Sequence, residues 1–186
     1  MKANSLLSLS FFLPLIASAQ PRSVVDFQIT KITKNLISTP QFAYSGAPAY
    51  QTNQRDRWLE VEVQFAATPE LTDELTFKYY ILFNGNLLAG EVTQVNIPAG
   101  RENRSVMYVP PRALARFANN RPIAESCQNI AVQIVQSGTV KAESSLARAQ
   151  PQWFATLPQI SGFVLNKDQT PFAPLYWDRY PQIKGR

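Results

Sequence analysis

The side chains that ordinarily carry chemistry are scarce in this sequence. It holds no histidine and one cysteine, Cys127, so a Ser-His-Asp or Cys-His relay and an H-E-x-x-H zinc site are excluded by residue type alone. Thiolate metal centres need several cysteines and are excluded with them. Carboxylates remain. Glu60 and Glu62 stand two apart in a segment written at a period of two, and such a pair could divide acid and base work in glycoside hydrolysis. Both are expected on the outward face of a sheet with no cleft marked around them, so they read as ordinary charged surface. Asp73-Glu74 and Asp168 fall in expected loops and could bind calcium only with further oxygen donors that no motif announces. A Lys or Tyr base stays open. The reading is against an enzyme, and no cofactor or metal is expected.

The elements that must position these residues are strands. In Trp58 to Phe65, Leu59, Val61, Val63 and Phe65 share one face and Glu60, Glu62 and Gln64 the other, as in a strand with one side on a core. Leu75, Phe77, Tyr79, Ile81 and Phe83 alternate in the same way, and their opposite face turns apolar toward its end, which marks a central strand covered on both sides. Asn84-Gly85 fits a type I′ turn into a strand over Leu87 to Ile97. Pro98-Ala99-Gly100 reads as a second turn, returning through Arg104 to Val109. Thr68 to Glu74 reads as a polar loop, with Pro69 ending the strand before it.

Val25, Phe27 and Ile29 open a first strand that reaches Ile32. The connection from Asn35 to Arg57 carries Phe42, Tyr44 and Tyr50, so a short edge strand or aromatic packing is expected within it. Gln54 to Arg57 reads as a solvated lead-in. Pro110-Pro111 precedes a helix over Arg112 to Phe117, stopped by Asn119-Asn120. Ile130 to Val135, a turn at Ser137-Gly138 and Thr139 to Leu146 form a last hairpin, with Val140 and Ala142 inward. Phe77, Tyr79, Ile81, Val61, Val63, Val132 and Ile134 are expected to meet in one core. Seven principal strands make an all-β, two-sheet sandwich of immunoglobulin or fibronectin type III kind, with one short helix.

Three segments follow from this. Residues 1–19 read as a signal peptide: Lys2, an apolar run from Leu6 to Ala17, and Ala17-Ser18-Ala19 before Gln20. The run is too short for a transmembrane span, so none is expected in the mature chain. Residues 20–148 form the sandwich. Residues 149–186 form a tail packed on it, dense in aromatics and broken by Pro151, Pro158, Pro171, Pro174 and Pro181. Gly162 to Asn166 is expected to add an edge strand, and Thr170 to Pro181 to be extended. Within the tail, Trp153 to Leu165 is expected to complete the sandwich, whereas Tyr176 to Arg186 is lightly attached and offered to a partner. The aromatics can equally be read as covering an edge of their own sandwich.

The chain has 18 basic and 13 acidic residues, a net charge of +5. The basic residues are scattered and belong to no nucleic-acid-binding motif, so nucleic acid is not an expected partner. Cys127 has two readings, a small buried side chain at the mouth of a strand or one half of an intermolecular disulfide.

The signal segment, R-W-L-E-V-E-V-Q-F, Y-Y-I-L-F-N-G, P-P-R-A-L-A-R-F and the ending T-P-F-A-P-L-Y-W-D-R-Y-P together resemble the pilus-associated, immunoglobulin-like envelope proteins of Akkermansia and related Verrucomicrobia. The resemblance implies an exported protein that is outer-membrane-associated, periplasmic or at the cell surface. It also implies a structural or protein-interaction role accessory to a type IV pilus-like assembly. The partners implied are other pilus-like or envelope proteins, or host surface proteins or glycans. No long hydrophobic N-terminal helix of the kind a pilin packs into its filament is present, so the likeness is to an accessory protein. A glycan-binding module on the same sandwich is the alternative. The residues assigned to partner binding are Tyr176, Trp177, Arg179 and Tyr180.

Overall fold

The computed structural model describes residues 25–42, 45–46, 56–147 and 150–185. The expectations for the signal segment, Tyr44, Tyr50, Gln54, Arg55, Arg148 and Arg186 lie outside the described residues. Five main strands carry the fold: β1 (Phe27–Ser38), β2 (Arg57–Phe83), β3 (Asn86–Val109), β4 (Cys127–Gln136) and β5 (Thr139–Ser145). Helices α1 (Pro111–Ala118) and α2 (Ile123–Ser126) lie between β3 and β4. The C-terminal segment adds three two-residue strands, β6 (Gln159–Ile160), β7 (Leu165–Asn166) and β8 (Gln182–Ile183), all paired with β3.

Among the described residues, all eight strands belong to one sheet that folds back on itself. Near Ala67 the β2–β3 ladder shifts twice, so Thr68 to Glu70 bulge out of β2 while Arg101 and Glu102 bulge out of β3. Extra residues of this kind bend a strand and strengthen its twist. The first half of β2 and second half of β3, with β1 and β7, make layer one. The second half of β2 and first half of β3, with β4, β5, β6 and β8, make layer two. Phe65 and Phe77, one from each half of β2, meet with ring centroids 4.8 Å apart. Tyr79 of layer two donates its hydroxyl to Ser105 Oγ of layer one at 2.8 Å, which satisfies a polar group that the core would otherwise strand.

The all-β, sandwich-like reading holds, but its strand count does not. The four strands expected around Pro69 and Pro98 are two long ones, and the two layers are halves of one sheet. Proline lacks only its own N–H. Pro69 lies in a bulge, where that donor is not needed, and Pro98 stands at the bulge's edge opposite Leu71, so both strands pass through. Asp73 and Glu74 are therefore strand residues, and Glu74 pairs with Lys184.

The core expected from alternation is present: Val61, Val63, Phe77, Tyr79, Ile81, Val132 and Ile134 are all fully buried in one cluster. Asn84 and Gly85 both have positive φ, 46° and 79°, as a type I′ turn requires. In α1, Leu114 and Phe117 face the core, and Asn119 ends the helix in the left-handed conformation. Val140 is exposed, not inward. A bulge at Lys141 sets Val140 opposite outward-facing Val135, while Ala142 stays opposite Ile134. Val25 likewise precedes β1 and is exposed. Cys127 is buried at the start of β4; burial raises its thiol pKa against the opposing pull of Lys34.

Candidate docking site

Opposed residues on paired strands point the same way, so Trp58, Glu60 and Glu62 share the outer face of layer one with Tyr108 and Val106. Tryptophan, tyrosine and valine on a solvent face need a cover, and the C-terminal segment supplies it. Its course is set by a few contacts. Phe154 stacks on Tyr80 over the outer face of layer two, centroids 3.9 Å apart, and Trp153 Nε1 donates to Ser145 Oγ at 3.0 Å. The chain then crosses the β3 edge at Gly90, where Val164 sits so close that a Cβ on residue 90 would lie 2.6 Å from Val164 Cβ and 2.8 Å from its carbonyl oxygen.

Beyond β7, Asn166 and Gln169 form a reciprocal capping box around a single 3-10 turn, Lys167–Gln169. That turn aims Phe172 at the outer face of layer one. Phe172 stacks on Tyr108 at 4.7 Å and meets Trp58 edge-on at 5.6 Å, arrangements worth roughly 0.5–1.5 kcal/mol each beyond area burial.

Glu62 is the polar centre of this contact. It takes Arg104 Nη1 at 2.6 Å, Arg179 Nη2 at 2.8 Å and the Tyr180 hydroxyl at 2.7 Å. Burial alone would raise its pKa. The hydrogen bonds from Tyr180, Arg179 and Arg104 outweigh that, and the carboxyl is held below its ordinary value. Burial and the bond to Glu62 in turn push the Tyr180 hydroxyl well up. Glu62 is thus not ordinary charged surface. Two of its three partners lie more than a hundred residues away in sequence, beyond the reach of any local pattern. The signal that could have shown it is Trp58, Val106 and Tyr108 on a face otherwise read as outward.

The four residues assigned to partner binding divide into two pairs. Arg179 and Tyr180 are anchors on Glu62, and β8 beyond them pairs with β3 at Gln94 and Val95. The expectation that Tyr176 to Arg186 is only lightly attached is therefore overturned for Arg179 to Lys184. Tyr176 and Trp177 do stand out in solvent, 53% and 82% exposed. Tyr176 has φ +54°, a left-handed conformation that is uncommon for a bulky residue. The Arg179 amide closes the turn on the Tyr176 carbonyl at 3.1 Å. An exposed aromatic pair is thus presented by a turn anchored on both sides, Phe172 before it and Arg179-Tyr180 after it.

Among the described residues no group of three or more Cys, Asp or Glu side chains is placed to hold a metal ion, and no helix is long and apolar enough to cross a membrane. A search of curated proteins finds no match. A crystal structure from Akkermansia muciniphila is similar, with a TM-score of 0.74 and 23% identity, covering 91% of this chain and 98% of that one; at that identity the likeness speaks for the fold. A family model matches residues 18–186, almost the whole sequence. On that match the chain belongs to the pilus-associated family to which its motifs pointed, with the Akkermansia protein as its structural neighbour.

Proposed function

We propose that this protein is a non-enzymatic component of the cell envelope that works by docking other proteins, as an accessory to a type IV pilus-like assembly. In this reading it is exported, loses residues 1–19, and acts at the outer membrane or cell surface on other pilus-like or envelope proteins. The observation that carries the proposal is the Tyr176–Trp177 turn. Covering an indole that is 82% exposed is worth roughly 3–5 kcal/mol before the costs of association. Because Phe172, Arg179 and Tyr180 already hold the turn, little ordering remains to be done on binding. Glycan binding on a flat platform of Tyr176, Trp177 and Tyr180 together would need Tyr180, whose hydroxyl is committed to Glu62.

The test is capture from envelope extracts by the wild-type mature protein and by Trp177→Ala and Tyr176→Ala. Loss of a discrete envelope protein by both variants, with melting curves unchanged, is the expected result. Identical captures by all three would overturn the assignment.

A further inference from the structure

The two ends of the sandwich carry opposite charge. At the bend, where β2 and β3 fold over, stand the exposed carboxylates of Asp26, Glu70, Asp73, Glu74 and Glu102. Asp26 is fixed there by its carbonyl, which accepts from the Thr68 amide at 2.9 Å. Among the described residues of the bend Arg101 and Lys184 alone are basic, and Lys184 is taken up by Glu74. Asp26, Glu70, Asp73 and Glu102 have no ion-pair partner among the described residues.

The opposite end is closed by α1 and α2. They are held to the Asn84-Gly85 turn by Asn84, whose Nδ2 donates to the Phe117 carbonyl at 3.0 Å and whose amide donates to the Ser126 carbonyl at 2.7 Å. Arg112, Arg116 and Arg121 are exposed on this end, and Arg57 opens β2 there, opposite Ser38. Lys34 turns its ammonium the same way and donates to the Cys127 carbonyl at 2.9 Å. Asp56 and Glu125 are the acidic residues of this end. Arg112 and Arg121 have no ion-pair partner among the described residues.

The two poles cannot neutralise each other within one molecule. Arg57 and Ala67 mark the ends of β2 in layer one, and a strand of that length spans about 33 Å, several times the ~8 Å screening length at physiological salt. A second molecule can bring the signs together in one way. Bend against bend, or helices against helices, sets like charges face to face; bend against helices matches them. The bend also carries apolar surface for the centre of such a contact, since Leu71 and Val25 are 60% and 61% exposed.

We infer that the acidic bend of one copy docks on the basic, helix-closed end of a second copy, head to tail. Such a contact joins two different surfaces, so each pair keeps one of each free and the association is open-ended. The Tyr176–Trp177 turn lies on the outer face of layer one, away from both ends, and stays free along the side of the row.

Sedimentation of the mature protein over a concentration series tests this. It is run at about 0.02 M and about 0.5 M sodium chloride, between which the screening length falls from about 20 Å to about 4 Å. At low salt the average mass should climb with concentration past that of a dimer, and at high salt association should weaken by about tenfold or more. Arg112→Glu with Arg121→Glu reverses the sign of one end, and Asp73→Lys with Glu102→Lys reverses the other; all four positions are exposed. Each double variant should stay monomeric by itself. An equimolar mixture should associate again, because the unaltered bend of the first meets the unaltered helix end of the second. The salt series needs no variant, so it decides the question if one of them folds poorly. A wild-type protein that stays monomeric at low salt, or association indifferent to salt, would overturn the contact. So would folded variants that associate alone or fail to recover on mixing. Trp177→Ala should associate like wild type; a loss there would move the contact to the docking turn and away from the two ends.

Discussion

Glu62→Gln tests whether the C-terminal segment is fastened to layer one through a buried carboxylate. Glutamine keeps the shape and can still accept from Tyr180, but it removes the charge that faces Arg104 and Arg179. Side-chain exposure is 11% for Glu62, 27% for Arg104 and 44% for Arg179. Breaking a fully buried pair costs roughly 3–5 kcal/mol, and an exposed pair is worth roughly 0–1 kcal/mol. With Arg179 discounted for its access to water, most of the loss falls on the Arg104 side, and about 2–3 kcal/mol is expected for the substitution. Urea denaturation at pH 7 measures it. Limited trypsin digestion locates it, since cleavage after Arg179 should accelerate well before cleavage in the main strands. A variant within about 0.5 kcal/mol of wild type, with unchanged cleavage after Arg179, would refute the anchor.

Three further outcomes follow from the same structure. Glu62 has a lowered folded pKa, so its contribution is fully present above the ordinary value of 4.5 and is lost as pH falls through the lowered one; an acid titration of stability should show a loss below about pH 4.5 that Glu62→Gln lacks. Gly90→Ala places a methyl against the Val164 carbonyl, and should cost about 1–3 kcal/mol and expose Val164 to hydrogen exchange; unchanged exchange there would show that the crossing is looser than described. Ile81→Ala empties a fully buried site and should cost roughly 2–5 kcal/mol in a denaturant melt, a smaller loss contradicting tight packing between the layers.

What could be read in advance was whatever a strand or turn states locally. Val61 and Val63, Phe77 and Tyr79, and Val132 and Ile134 alternate because one face of each strand meets the core. Asn84-Gly85 and the α1 stop at Asn119 are set by backbone conformations that few residues tolerate. Pro69 and Pro98 misled for the same reason: each is a punctuation mark in isolation, yet a paired bulge lets the strand continue through both. The docking site divides along the same line. The aromatic density of the C-terminal segment marked it as a recognition candidate. Which aromatics face out depends on Glu62 and Tyr108, and those contacts join segments that no local window contains.

The most direct test of the docking proposal is photo-crosslinking in the native envelope, with a photoreactive residue placed at position 177 and, as control, at exposed Lys31 on β1. We expect a discrete adduct with a pilus-like or envelope protein from position 177 and none from position 31. An exported, folded protein that gives no adduct at 177, or the same adduct from both positions, would contradict a docking role for the Tyr176–Trp177 turn.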